Sequence, residues 1–235
     1  MADPTMPTYL VCGTKPWNRR AFDDIISRLP GDWHFVGSQA ELTADRISQL
    51  RPRYAFFLHW SHKVPDEVLD LCECVCFHMA DVPYGRGGSP LQNLILAGHR
   101  DTKLTALQMT AEMDAGPVYL KEPMSLEGNA EEVYIRSTYL AARMIGRITA
   151  DEPTPLPQVG EPTVFRRRSP VESEIPADLP SLEAAYDFLR MLDAGSYPRA
   201  FLRYGLFRIE FGRVGYYDGR LVADVTITVN GEGTA

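Results

Sequence analysis

Residues 54–58 read Tyr-Ala-Phe-Phe-Leu, and residues 72–78 read Cys-Glu-Cys-Val-Cys-Phe-His. The first run has no internal polarity, as expected of a strand buried on both faces. Pro65–Leu71 between them reads as a helix with proline near its first turn. Two strands joined by a helical crossover make a βαβ unit, and such units build parallel sheets. Towards the N-terminus the alternation repeats. Thr43–Leu50 reads as a helix, Trp33–Val36 as a strand and Tyr9–Cys12 as the first strand. Arg20–Leu29 reads as a helix with Phe22, Ile25, Ile26 and Leu29 on one face. The fold class is therefore α/β: a doubly wound, mostly parallel sheet covered on both faces.

Towards the C-terminus, Ser89-Pro90-Leu91-Gln92 predicts a helix start, with Ser89 as N-cap, Pro90 at the first helical position and Gln92 closing a capping box. Lys103–Met109 and Val118–Pro123 read as strands joined through Thr110–Pro117, and Ala130–Ile148 as a long helix. Four prolines between Asp151 and Pro162 mark an extended connector. Ser181–Leu192 reads as a capped helix, and Leu206–Val214 and Arg220–Val229 as strands around Tyr217-Asp218-Gly219. These patterns divide the chain into a catalytic domain, 1–165, and a small α+β appendage, 166–235, whose apolar hairpin leaves a homodimer open.

The 235 residues carry a formal charge of -7. With no global positive field, nucleic-acid binding would need a local basic patch, so the expectation is no nucleic-acid partner. No apolar run reaches the roughly 18 residues of a membrane helix, and Met1–Thr5 has no signal-like character. The expectation is a cytoplasmic chain with no membrane partner.

Cys72, Cys74 and Cys76, followed by His78, invite a zinc reading. Along one extended strand, however, Cys72 and His78 stand on the order of 20 Å apart, while zinc ligands all sit about 2 Å from one ion. The cysteines read instead as small apolar residues on one buried face, reduced, and no metal is expected. Arg166-Arg167-Arg168 reads as a solvated strand face. There is no dinucleotide fingerprint, phosphate-binding loop, nucleophile elbow or zinc-protease motif.

In a doubly wound sheet, ligands bind at the carboxyl ends of the strands. His78 stands at such an end, ahead of the glycine-rich loop 83–88 that carries Arg86 and Gly87. Position alone leaves His78 open between a functional and a structural histidine. Asp114 lies in Glu112-Met113-Asp114-Ala115-Gly116-Pro117, where spacing alone favours a turn aspartate before a glycine.

Taken in order, Cys76-Phe77-His78, Pro83-Tyr84-Gly85-Arg86-Gly87-Gly88-Ser89-Pro90 and Asp114-Ala115-Gly116 resemble the folate-dependent formyltransferase family. That family's signature is Asn-x-His, a Pro-x-x-Arg-Gly-x-x-Pro loop and Asp-x-Gly, and the resemblance covers about residues 8–150 of this sequence. It implies a Rossmann-like formyltransferase core and 10-formyltetrahydrofolate as co-substrate. It also implies His78 as the proton-transfer residue and Asp114 as its charged partner, raising the histidine pKa. His59, Trp60, Ser61 and His62 would line the pterin pocket, with Thr110, Glu112 and Met113 closing over it. Lys15, Asn18 and Arg19, with Arg86 and Gly87, would meet the substrate. Core packing is the plain alternative for Trp60.

The stretches Phe188–Asp193 and Tyr197–Phe201 resemble the amino-sugar members, the pseudaminic acid type in particular. The expected substrate is therefore the primary amine of a nucleotide-linked amino-deoxy sugar. Cys76 stands where the family has asparagine. A thiol is a weak donor, and losing one oxyanion donor costs about 10²–10³ in rate. Asn93 and backbone N–H groups are candidate replacements. Two alternatives stay open: a catalytically silent formyltransferase-like binding protein, and formylation of a carrier-bound or aminoacyl amine.

Overall fold

The computed structural model describes residues 6–195 and 197–229. The signal reading of Met1–Thr5 lies outside these residues. The elements run β1 (Thr8–Gly13), α1 (Pro16–Asp24), β2 (Asp32–Val36), α2 (Ala44–Leu50), β3 (Tyr54–Leu58), α3 (Asp66–Leu71), β4 (Glu73–His78), β5 (Tyr84–Gly87), α4 (Pro90–Leu96), β6 (Asp101–Gln108), β7 (Val118–Ser125), α5 (Ala130–Asp151), β8 (Thr163–Phe165), α6 (Leu182–Arg190), β9 (Phe201–Tyr204), β10 (Phe207–Tyr217) and β11 (Arg220–Val229).

The chain forms two units. Among the described residues, the first holds 6–87, 102–124 and 134–164; the second holds 88–101, 125–133, 165–195 and 197–229. In this division α4 and residues 125–133, which include the first turn of α5, group with the C-terminal residues. Local patterning marks elements; it does not say which later segment each will pack against.

The first unit is the expected α/β layer. Its sheet has the order β2-β1-β3-β4-β6-β7. β1, β2, β3 and β4 pair in parallel, and β6 runs antiparallel to β4. Period-two alternation sorts the side chains by face. Leu10, Cys12, Ala55, Phe57 and Cys74 pack on one face with Val36, Ile47 and Val68. Tyr9, Tyr54, Phe56 and Phe77 lie on the other, where Tyr9 meets Trp33 at 4.6 Å and Tyr54 meets Phe56 at 5.5 Å between ring centroids. All five residues of β3 are buried, as their apolar run requires. Cys12, Cys74, Cys72 and Cys76 are free thiols, and all four pack in or against that first cluster. Cys72 caps α3 rather than opening β4.

Of the first two helix readings, one shifts and one holds. The first helix begins at Pro16 and ends at Asp24, with a 3₁₀ turn over Ile26–Arg28. Asn18, buried, accepts the Lys15 backbone N–H at 3.0 Å and so fixes the earlier start. Thr43 does cap α2, accepting the Arg46 N–H at 3.2 Å.

In the second unit α4 starts at Pro90, but without the expected capping box. Ser89 sits at φ +50, in the left-handed region, whereas an N-cap needs extended backbone. Its hydroxyl instead accepts the Arg168 N–H at 3.1 Å. Arg166 pairs with Glu172 at 2.6 Å, so the arginine run is partly anchored rather than simply solvated. Ser181 caps α6 through the Ala184 N–H at 3.1 Å. Arg190 is fully buried, bound to Asp187 at 2.6 Å and to the carbonyls of Leu126 at 2.5 Å and Gly128 at 2.7 Å. A three-stranded antiparallel sheet, β11-β10-β9, completes the unit. Asp218 at φ +46 and Gly219 at φ +70 turn β10 into β11, the two positive φ values that a tight two-residue hairpin loop demands.

Candidate active site

β4 ends at His78, and the antiparallel neighbour β6 places Thr105 opposite it. The Thr105 hydroxyl donates to the Ala80 carbonyl at 2.7 Å, fixing the chain as it leaves the strand. His78 is buried, and its Nε2 donates to the Gly85 carbonyl at 2.7 Å. A carbonyl only accepts, so the proton is on Nε2. Nδ1 faces Oδ2 of Asp114 at 3.5 Å.

Asp114 is held on several sides. Its backbone is left-handed, at φ +54. Oδ2 accepts the Gly87 N–H at 3.0 Å. The Gln158 side-chain amide donates to the carbonyls of both Asp114 and Gly116 at 2.8 Å. Gln158 Oε1 in turn accepts Arg86 Nε at 3.0 Å, and Arg86 stands 3.6 Å from Glu112. Gly116 permits the close approach of this loop: a Cβ there would lie 1.9 Å from the Gln108 carbonyl oxygen. Gln158 was not legible in the sequence. It lies in the proline-rich connector, where no periodicity singles out any residue.

Cys76 lies two residues before His78 on the same face of β4. Burial, together with the nearby charge of Asp114, pushes its thiol pKa up, so it remains S–H rather than thiolate. Asn93 does not supply a free donor. Its side-chain amide donates to the carbonyls of Gly88 and Ser89, both at 3.0 Å.

The remaining site residues separate into two groups. His59, at φ +47 just past β3, is boxed in. Trp17 Nε1 donates to its Nδ1 at 3.2 Å, and an indole N–H can only donate, so the His59 proton is on Nε2 and goes to Ser137 Oγ at 2.8 Å. Burial, aided by the charge of Lys15, lowers its pKa to about 4. Asn18 is likewise turned inward, within 3.3 Å of Thr138 Oγ1, and Arg19 is paired with Asp23 at 2.9 Å. Of the residues expected to meet the substrate, Asn18 is thus engaged inside the fold, whereas Arg19 is exposed. Ser61, His62, Thr110, Glu112 and Met113 are exposed, and Trp60 and Lys15 are half-buried.

A doubly wound sheet with a buried histidine–carboxylate pair at the carboxyl end of one strand is the arrangement of an enzyme that moves protons, and comparison with known proteins shows which family the chain joins. A solved structure of a methionyl-tRNA formyltransferase from Clostridium thermocellum is 38% identical, the match covers 96% of this chain and 100% of that one, and the two superpose with a TM-score of 0.91. The chain belongs to the formyltransferase family. Residues 170–228 match the family model described as "Methionyl-tRNA formyltransferase, C-terminal domain". A methionyl-tRNA formyltransferase from Gluconobacter oxydans is 31% identical over 97 residues, 40% of this chain and 32% of that protein. The chain spans about a third of the length of the curated relatives it matches. A 4-N formyltransferase from Francisella tularensis has a TM-score of 0.67 over 93% of this chain and 96% of that one, but 18% identity, a likeness of fold alone.

These findings correct two expectations. The nucleotide-linked amino sugar is overturned, because the relatives of appreciable identity are methionyl-tRNA formyltransferases and the C-terminal match is to their domain. The exclusion of nucleic acid falls with it. Net charge misled because it is an average: residues 166–229 hold nine arginines, no lysine and nine carboxylates, so the acidic excess of the chain lies elsewhere. Among the described residues, no helix is long and apolar enough to cross a membrane.

Proposed function

We propose that the chain moves a formyl group from 10-formyltetrahydrofolate to the α-amino group of an aminoacyl-tRNA, with methionyl-tRNA as the first substrate to test. The observation that carries the transfer chemistry is the buried His78–Asp114 pair at the carboxyl end of β4, 3.5 Å apart. The match of residues 170–228 to the methionyl-tRNA formyltransferase C-terminal domain supports the substrate, and we assign the tRNA-facing role to that segment.

The residues suit a reduced folate. Trp60, just past β3, and Cys76, near the end of β4, pack on the core cluster and offer apolar surface, and the buried indole N–H of Trp60 is unpartnered. Bound there, the folate supplies an activated one-carbon unit. His78 and Asp114 then manage the proton. Attack by a neutral amine leaves a cationic nitrogen that must lose a proton. The pair is positioned to take it from the reacting nitrogen and return it to the leaving nitrogen. The Gly85 carbonyl fixes the ring tautomer and leaves Nδ1 as the accepting nitrogen, and the Asp114 carboxylate stabilises the imidazolium that forms when Nδ1 takes the proton. The separation of 3.5 Å exceeds a good hydrogen bond, as catalytic pairs commonly do before substrate binds.

The test is incubation of the purified chain with 10-formyltetrahydrofolate and charged methionyl-tRNA, with mass spectrometry of the released aminoacyl group. Formylmethionine is expected from the native chain and not from His78→Ala. Absence of product from the native chain overturns the reading.

A further inference from the structure

The sulfurs of Cys72 and Cys74 lie 3.7 Å apart, in hydrogen-bond contact. The two residues are held differently. Cys74 is buried and fixed within the sheet: it stands in register with Ala55 of β3, and its carbonyl accepts the Met109 N–H at 2.8 Å. Cys72 is half-buried and lies just before the strand, as the residue that ends α3. It is therefore the accessible member of the pair, and it is free to shift towards Cys74 without breaking the sheet.

Two residues of extended chain span about 6.6 Å between Cα atoms. That falls inside the range for a disulfide, about 4.4–6.8 Å, but near its upper end, where a bond is strained and easily reduced. Cys76 is about 13 Å along the chain from Cys72, and Cys12 is fully buried in β1. Burial pushes the thiols of Cys12 and Cys76 up in pKa. Cys74 is pushed up chiefly by its hydrogen bond to Cys72, and the same bond holds Cys72 below the ordinary thiol value. The thiolate is the nucleophile, so Cys72 is the attacking sulfur.

We propose that Cys72 and Cys74 form a redox-active dithiol whose oxidant is a low-molecular-weight disulfide. Cys72 attacks one sulfur of the small disulfide, giving a mixed disulfide and releasing one small thiol. Cys74 then loses its proton and attacks Sγ of Cys72, releasing the second. The cysteines give up two electrons and two protons, and the small disulfide leaves as two thiols. An excess of that thiol runs both steps backwards.

The test incubates the reduced full chain with excess glutathione disulfide, alkylates the remaining thiols with N-ethylmaleimide and maps them by mass spectrometry, with circular dichroism as the folding control. The native chain should lose two of its four thiols and become lighter by two hydrogen atoms, with Cys12 and Cys76 alkylated and Cys72 and Cys74 bridged. Excess reduced glutathione should restore all four. Cys74→Ala should stop at the first step, carrying one glutathione on Cys72, and Cys72→Ser should stay unmodified. The proposal is overturned by four thiols that remain free in the folded native chain, by a glutathione adduct that persists on it, by a bridge to Cys12 or Cys76, or by a bridge that reduced glutathione does not reopen. Mapping of the native chain decides between these outcomes where a core variant fails to fold.

Discussion

Oδ2 of Asp114 stands 3.5 Å from Nδ1 of His78 and accepts the Gly87 N–H at 3.0 Å. One carboxylate oxygen thus ties the end of β4 both to the glycine-rich loop after it and to the loop between β6 and β7. Removing either member of the pair should lower turnover without unfolding the chain. His78→Ala is expected to reduce kcat by about 10²–10⁴, the range for a positioned acid–base group. Asp114→Asn should fall in the same direction. Single-turnover formylation assays, with circular dichroism as the folding control, check both.

Gln158 holds Asp114 in place by donating to its carbonyl and to that of Gly116. Gln158→Ala should leave the fold intact and let the Asp114 loop drift. The expected result is a drop in kcat of about tenfold with a smaller change in KM, because loosened positioning costs most in the transition state. Gln158→Glu, which keeps Oε1 for Arg86 but loses the amide donors, should behave like the alanine variant. Restoration of activity in Gln158→Glu would disprove the positioning role.

Gly116 is a packing requirement. A Cβ would approach the Gln108 carbonyl oxygen to 1.9 Å, and that backbone is part of β6. Gly116→Ala should destabilise by about 1–3 kcal/mol, the usual range for overpacking, and should displace Asp114. Urea denaturation gives the first quantity and the formylation assay the second.

His59 predicts an acid-sensitive fold. Its pKa in the folded chain is about 4, below the ordinary value of 6.5, because burial disfavours the charged ring. Between these values the unfolded chain binds more protons, so stability is full above about pH 6.5 and declines as pH falls towards 4. The full effect is of order 3 kcal/mol, from about 1.4 kcal/mol per pKa unit. Stability measured by denaturant at pH 7 and pH 4.5 should show the loss. Nuclear magnetic resonance should show an unprotonated His59 ring at pH 5.5; a ring titrating near 6.5 would contradict the burial argument.

The sequence by itself determined the α/β alternation, because burial on both faces of β3 leaves an apolar run and amphipathic helices leave a period that can be read locally. It also made His78, Asp114 and the loop between them legible, through residue types in a recognisable order. The tertiary structure alone decided the rest. Gln158 acquires its role only when a patternless connector passes Asp114. His59 and Asn18 turn inward because partners distant in sequence engage them, Trp17 and Ser137 for His59 and Thr138 for Asn18. Ser89 loses its cap because its backbone is left-handed and its hydroxyl is engaged by Arg168. Hydrogen bonds between distant segments leave no periodic trace in a chain, whereas burial does. That difference is why the layers could be read from the residues and the fastening of the site could not.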